Sequence, residues 1–501
     1  MPPEQQDKSP SAEQVGTRTR RGISWNFGGA VVTNGMRVVV LAVLGRVLSS
    51  HDFGIVAAAV LVNVVVFGIR DIGLGPALVQ RKDLAPEHLT TVFAMSTYIG
   101  AFLSAALFIT APLIGELWGI LDSVNVIRAL ALLFAIRSVA TTSRMMCQRE
   151  MNFRAIAIID AASFTIGSIV AMVTAIYGAG PWALVAGYTV EEVLSTGLYL
   201  RLRPPRVSLR IERSRLKELL SFGGWQTIGQ IFAIGATYGD NFIVGGALGA
   251  RDLGYYTRAY DLIRFPSLIF DAIVGNVLFP AFSRLQDDPE RLAMSFRRVM
   301  FASALLLLPA SAAVIIVAPE AIRVLMGTQW GEAVLPFQIL ATTIFLRTSQ
   351  KGAAIVTQAA GGVRGIAVAM AVYTVFVIGG GAISIQWGIV GIATSTAIAI
   401  TVVSVHTSML ALRASKLRSG SWLAAHGPGL VLAAIVVVVA WPLAQALRHA
   451  ELPAWLILVI VGVSAVTVCL GVLWIWLRRA NGDFEWLRSE VVRLRPPPPP
   501  P

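Results

Sequence analysis

The sequence predicts an all-α polytopic membrane protein with about 14 transmembrane helices: two pseudo-symmetric six-helix lobes followed by two further C-terminal helices. Three observations lead there. Hydrophobic residues make up 55% of the 501 residues and charged residues only 14%, too little charge to coat a soluble protein of that length. Apolar stretches close to the ~20 residues that cross a bilayer recur along the whole chain. The chain also repeats itself, without a gap, at an offset of 200 residues. Trp25, Gly29, Gly35 and Gly45 meet Trp225, Gly229, Gly235 and Gly245. Leu48, Asp52, Gly54 and Ala59 meet Leu248, Asp252, Gly254 and Ala259, and Asp71 and Gly75 meet Asp271 and Gly275. A duplicated block of apolar helices is how many transporters build two lobes around a substrate cavity.

Taken in order, residues 1–22 form a polar cytoplasmic tail without an apolar signal core, so the first apolar helix is expected to direct insertion itself. The N-lobe occupies 23–200, with spans at 23–46, 53–79, 89–114, 124–143, 154–177 and 181–200. A cytoplasmic linker, 201–217, separates the copies. Its Pro204–Pro205 pair discourages a continuing helix, and "RIERSRLKELL" reads as a short amphipathic helix on the membrane surface. The C-lobe occupies 218–412, with spans at 218–247, 253–280, 294–317, 334–356, 364–385 and 388–412. Spans at 422–445 and 453–477 make up the segment 422–477, which has no partner in the first half. Residues 478–501 are a cytoplasmic Pro-rich tail ending in Pro496–Pro501, read as a disordered end in preference to an SH3-type ligand.

The formal net charge is +13, and its bases are gathered in alternate connections. "TRTRR", "QRKD", "RMMCQREMNFR", "RLRPPRVSLRIERSRLK", "SRLQDDPERLAMSFRR", "RASKLRS" and "RRANGDFEWLR" are basic, while "LSSHD", "GELWGILDSVN", "YGAGP", "LGARD" and "LRHAELP" are short or nearly neutral. The positive-inside rule then puts both termini in the cytoplasm of a multi-pass membrane protein, and no nucleic-acid partner is needed to explain the charge. Cys147 and Cys469 cannot make a disulfide framework and read as core or interface thiols.

Charge inside a bilayer is costly and usually faces a cavity or a partner. Asn26, Thr33 and Arg37 share one face of the first span, and Gln226, Gln230, Thr237 and Asp240 share one face of its counterpart. These polar stripes are read as cavity lining, with a structural pair between Arg37 and Asp240 as the alternative. The eighth span carries Arg258, Asp261 and Arg264 at three-residue steps, so that neighbours can pair along the helix, then Asp271 further on. Arg70 and Asp71 would sit at the cytoplasmic mouth. Two adjacent carboxylates, Glu191 and Glu192, lie in the sixth span, where Arg137 is a candidate partner. Arg347 and Lys351 are read as positive-inside residues.

The segment Leu48–Gly54, "LSSHDFG", the stretch Asp71–Gly75, "DIGLG", followed by Gln80 and Arg81, and the block "GGWQTIGQI…YGDNFIVGGALGARDLGYYTRAYDL" resemble bacterial polysaccharide transporters of the Wzx type. These are lipid-linked oligosaccharide flippases of the multidrug/oligosaccharidyl-lipid/polysaccharide superfamily. The resemblance covers essentially the whole membrane part. It implies alternating access of an undecaprenyl-diphosphate-linked glycan for exopolysaccharide, capsule or O-antigen synthesis, with membrane lipids, the polysaccharide polymerase and the export machinery as partners. It further implies cationic residues that attract the diphosphate, carried here first by Arg37 and second by Arg264. No cofactor is expected. Asp240, Asp261 and Asp271 depart from a uniformly cationic cavity, and whether they bind a coupling ion, touch the sugar or neutralise arginines is left open by the sequence.

Two other function classes compete. A membrane glycan polymerase or ligase would need acids and bases in a large outer loop. The longest outer connection, 318–333, has no histidine, and His51, His88, His406, His426 and His449 form no metal-spaced cluster. A drug/cation antiporter of the same superfamily fits poorly with basic residues on the polar stripes. An ATP-driven pump would need a G-x-x-x-x-G-K-[ST] sequence, which the chain lacks.

Overall fold

The computed structural model describes residues 12–70, 86–205, 211, 213–273, 282, 288–479 and 483–493. Within them the chain is helical and has no strand, as a chain in hydrocarbon must be, because a helix satisfies its own backbone hydrogen bonds. The helices are α1 (Ala12–Val47), α2 (Ser50–Arg70), α3 (Pro86–Leu117), α4 (Ser123–Arg149), α5 (Phe153–Ile176), α6 (Trp182–Leu202) and α7 (Arg213–Ile273). They continue with α8 (Pro289–Ile316), α9 (Ala318–Met326), α10 (Val334–Ala341), α11 (Ile344–Ala359), α12 (Val363–Ser384), α13 (Gly388–Ser415), α14 (Ser419–His449), α15 (Ala454–Arg478) and α16 (Asp483–Arg493).

Helix stands at every position where the sequence predicts a span, over the described residues. Among those residues, eight helical stretches are both long and apolar enough to cross a membrane. One of the eight, Arg364–Ser415, runs through two predicted spans, 364–385 and 388–412, and the count covers the described residues alone. In α6 the Glu191–Glu192 pair interrupts the apolar run. The predicted span 334–356 is not one helix but α10 and α11, of 8 and 16 residues. Thr342 and Thr343 turn their hydroxyls back onto the carbonyls of Ile339 and Leu340, both at 2.6 Å, offering the backbone an alternative to the helical ladder.

One further expectation is corrected. The segment "RIERSRLKELL" is not a separate surface helix: from Arg213 it is the first turns of α7. Within the segment 478–501 the structure adds a helix, α16, at Asp483–Arg493. The Pro496–Pro501 run lies outside the described residues. The proline pair does act as expected, with α6 ending at Leu202 just before Pro204.

The chain divides into two compact units, Met1–Ile234 with Gly249–Gly254, and Gly235–Leu248 with Tyr255–Pro501. In the first, α3 packs on α4, α1 on α5, α5 on α6, and α4 on α2 and α6. Small residues allow the close approach. A β-carbon on Gly167 would come 2.6 Å from the carbonyl oxygen of Gly187, and one on Gly187 would come 2.7 Å from Cβ of Ala171. Ahead of α2, Ser49 and Asp52 cap each other: Ser49 N–H and Oγ–H donate to Asp52 Oδ2 at 3.0 and 2.7 Å, and Asp52 N–H donates to Ser49 Oγ at 3.2 Å. The second copy replaces Ser49 by Gly249, whose φ of 85° breaks α7 between its two predicted spans.

The same unit contains both copies of the duplicated turn. A β-carbon on Gly54 would sit 1.7 Å from the carbonyl oxygen of Ala250, and one on Gly254 would sit 1.8 Å from that of Ser50. The contact is reciprocal at the 200-residue offset.

In the second unit α12 packs on α13, α13 on α11, α8 on α11 and most extensively on α14, and α15 on α14 and α9. A β-carbon on Gly429 of α14 would come 2.4 Å from the Ala304 carbonyl of α8. The helix α16 is amphipathic and docked: Asp483 accepts from Arg297 at 2.6 Å, and Phe484 stands edge-on to Phe301 at 5.1 Å. At the other end of α14, Arg448 makes a two-pronged pair with Glu320 at 2.7 and 2.8 Å and also donates to the carbonyl of Ile316. The Glu320 side chain is only 7% exposed. Arg448→Ala would strand that carboxylate, so the substitution is expected to lower stability by about 3 kcal/mol, read as an earlier denaturation midpoint of the purified protein in detergent.

Candidate functional site

In the first unit, helical spacing gathers charge onto facing stripes. Arg137 and Arg144 are seven residues apart on α4, two turns along one face. Glu192 and Tyr199 repeat that spacing on α6, and Asp160 and Phe164 lie one turn apart on α5. The packing of α4, α5 and α6 brings these stripes together. Arg137 Nη1 lies 3.5 Å from Glu192 Oε2, so the pairing read as a candidate in the sequence is formed. Arg144 Nη2 donates to Asp160 Oδ2 at 2.8 Å, Tyr199 Oη donates to Asp160 Oδ1 at 2.9 Å, and the guanidinium of Arg144 lies 5.6 Å from the Tyr199 ring centroid.

Arg37 completes the set from α1. It is exposed, about one turn beyond the half-buried Thr33 on the same face, and its guanidinium stands 5.6 Å over the ring of Phe164. Glu191 lies in the electrostatic reach of Glu192, Arg137, Arg37 and Asp160. Three guanidiniums (Arg37, Arg137, Arg144) thus face three carboxylates (Asp160, Glu191, Glu192) within apolar helices. The sequence pointed to Arg37, but Arg137, Arg144 and Asp160 were missed as members of its site. Their seven-residue and one-turn spacings were the available signal.

The second unit holds a different cluster. Asp240 is buried and accepts at Oδ1 from the Asn241 backbone N–H at 2.8 Å and side-chain Nδ2 at 2.9 Å. At Oδ2 it accepts from Tyr256 Oη at 2.8 Å and Thr396 Oγ1 at 3.4 Å. Four donors fill the lone-pair directions of a carboxylate, which makes Asp240 a buried structural group rather than an exposed cavity-lining one. The cation whose field reaches it is Arg347. That residue is not a simple positive-inside arginine: it donates to Tyr260 Oη at 2.6 Å, lies 4.8 Å from that ring's centroid, and donates through Nε to Thr343 Oγ1 at 3.2 Å.

Arg258 and Asp261 pair along α7 at 2.9 Å, as their spacing suggested. Thr237 is exposed. The side chains of Asn26, Gln226, Gln230, Arg70, Arg264 and Asp271, and the whole of Asp71, lie outside the described residues. Among the described residues no group of three His, Cys, Asp or Glu could hold a metal ion.

Long apolar helices that enclose balanced charge are the architecture of a membrane transport protein. The chain belongs to the polysaccharide biosynthesis protein family, whose model matches residues 43–335. Leu48–Gly54 and Asp71–Gly75 both fall inside that match, which bears out the resemblance read from them. The lipopolysaccharide biosynthesis protein WzxC of Escherichia coli is 26% identical over 333 residues, 66% of this chain and 68% of the relative. The succinoglycan biosynthesis transport protein ExoT of Rhizobium meliloti is 28% identical over 62% of this chain and 63% of its own length. The teichuronic acid biosynthesis protein TuaB of Bacillus subtilis is 24% identical over 65% and 68%. The chain thus spans about two thirds of the length of these relatives. In fold, it is similar to the lipid II flippase MurJ in an inward closed conformation, with a TM-score of 0.72, 12% identity, and 91% of this chain and 99% of that one covered. An inward-facing multidrug resistance transporter of the MATE family superposes with a TM-score of 0.56 at 16% identity, covering 79% and 94%.

Proposed function

We propose that the protein is a flippase that carries undecaprenyl-diphosphate-linked oligosaccharide repeat units across the bacterial inner membrane by alternating access, for exopolysaccharide, capsule or O-antigen synthesis. It does no covalent chemistry. The physical task is to take a diphosphate and a polar glycan past about 30 Å of hydrocarbon, which without help means stripping several charges and many hydroxyls of water. The observation that carries the reading is the exposed guanidinium of Arg37 within an apolar helix, backed by its balancing carboxylates. Guanidinium meets phosphate oxygens in a two-pronged geometry. Family membership and the names of the relatives support the same cargo class, and the likeness to a lipid II flippase supports a lipid-linked one. Membrane lipids, the polymerase and the export machinery are its expected partners.

The test is a chromosomal deletion with complementation. Loss of the gene should abolish surface glycan and leave lipid-linked repeat units in the inner membrane, and the full chain should restore export. Intact glycan with new sensitivity to organic cations would instead identify a drug antiporter.

Within this reading the chain crosses the membrane fourteen times, as two six-helix lobes plus α14 and α15, with both termini in the cytoplasm. Reporter fusions after Arg81, after Arg149 and at the C-terminus should therefore read cytoplasmic, and a fusion near Trp330 periplasmic. A periplasmic C-terminus would overturn this topology.

A further inference from the structure

In the second unit, one side of α15 ends in a mark of the membrane interface. Val459, Val463, Val466 and Leu470 are exposed at steps of three or four residues and form a single stripe on an apolar helix. Trp474 continues the stripe, 55% exposed, and Arg478 one turn further holds its guanidinium 3.6 Å from the centroid of the Trp474 ring. A tryptophan that closes an apolar stripe and is topped by an arginine belongs where hydrocarbon meets headgroups. The helix α16 begins four residues after Arg479 and is drawn to the same level. The Phe484 ring centroid lies 5.2 Å from that of Trp476 on α15 and 5.1 Å from that of Phe301 on α8. Phe301 is one turn further into α8 than Arg297, the partner of Asp483. Amphipathic and held at that depth, α16 lies in the headgroup layer.

We propose that the junction of α15 and α16 binds the headgroup of an anionic phospholipid, with Arg478 and Arg488 on its phosphate and its acyl chains along the stripe that ends at Trp474. The charges argue for it. Arg478, Arg479 and Arg488 are exposed, and Arg298 of α8 stands 5.1 Å from the centroid of the Trp486 ring. None of these four is ion-paired among the described residues. Arg297 already neutralises Asp483, which leaves Glu485 as the exposed acid of α16 with a described side chain. Glu490 and Arg493, whose side chains lie outside the described residues, cancel in charge. The positive-inside rule asks only for charge at this end of the unit. Rings beneath Arg298 and Arg478 do more, because they fix where two of the guanidiniums stand, and a fixed guanidinium meets phosphate oxygens in a two-pronged geometry. The site requires only that the chain spans a membrane, so it stands apart from the flippase reading.

The experiment titrates the purified full chain in detergent with short-chain phosphatidylglycerol and counts bound lipid by native mass spectrometry. The wild type should prefer it to phosphatidylcholine of the same chain length. Each basic residue beside an anionic lipid is worth roughly fivefold in affinity, so Arg478→Gln with Arg488→Gln should weaken phosphatidylglycerol on the order of twentyfold and leave phosphatidylcholine unchanged. The control is Arg364→Gln with Arg413→Gln, which removes the same charge from exposed positions at the start of α12 and near the end of α13. It should bind phosphatidylglycerol as the wild type does. All four substitutions are at exposed positions, and thermal melts would confirm that both double variants are folded. Equal binding of the two lipids by the wild type, or the same loss in both double variants, would overturn the proposal. So would glycerol phosphate bound as tightly as the intact lipid, which would identify a site for soluble phosphates instead.

Discussion

Arg37→Ala is expected to abolish glycan export while the protein still inserts at normal abundance. The residue lies well inside the first apolar helix and is exposed there, with Phe164 beneath its guanidinium and Glu191 within its field. If its task were to hold the helices together, removing it would be felt in the amount of folded protein. The packing of α1 on α5, however, rests on contacts such as Gly29, where a β-carbon would already come 3.1 Å from Cβ of Ala157, and an exposed cation adds little to that. Lysine keeps the charge but not the two-pronged donor geometry, so Arg37→Lys should retain only part of the export. The structural alternative raised by the sequence, a pair between Arg37 and Asp240, forecasts something else: lower abundance, restored along with export by the charge swap Arg37→Asp with Asp240→Arg. Asp240 is already held by Asn241, Tyr256 and Thr396, with Arg347 supplying its positive field. A swap there should damage the second unit whatever stands at position 37. Measuring membrane abundance and surface glycan side by side decides between them, and wild-type export by Arg37→Ala would refute both.

What could be read from the sequence follows a physical division. Helical periodicity shows which residues share a face of their own helix, and that was enough to anticipate the Arg258–Asp261 pair and the positions of the apolar helices. Proline chemistry placed the end of α6, and the duplication located the joint that Gly249 makes in α7. Periodicity does not show which neighbouring helix a face meets. Asp240 therefore read as cavity lining when its donors come from α7 itself and from Thr396 on α13. Arg347 read as a charge at the membrane edge, because nothing local to it reveals Tyr260. The break at 342–343 was hidden for a related reason: threonine is tolerated within a helix, and nothing local to Thr342 and Thr343 marks one ending there. The docking of α16 depends on Phe301 and Arg297, nearly two hundred residues earlier in the chain.

The duplication makes the second strong forecast. Gly54→Ala and Gly254→Ala should each impair export severely, and the double substitution should be little worse than either alone. The atoms in the way are backbone carbonyls, 1.7 Å from a β-carbon at 54 and 1.8 Å from one at 254. A flexible side chain could step aside, but a carbonyl in a helix moves only with its helix. A carbon and an oxygen in contact need roughly 3 Å or a little more, so α2 and the segment 249–254 would have to separate by over an ångström for either methyl group to fit. Each glycine presses on the helix that carries the other: Gly54 on Ala250, and Gly254 on Ser50, with Gly54 N also 3.2 Å from that second β-carbon. One separation therefore relieves both clashes, and its cost is incurred once. Independent sites would add; these should not. Export and the denaturation midpoint of the two single variants and the double variant form a double-mutant cycle. A coupling as large as either single effect is the expected result. Full additivity would mean that the two copies of the turn act separately, and a double variant with wild-type export would mean that their close approach has no part in transport.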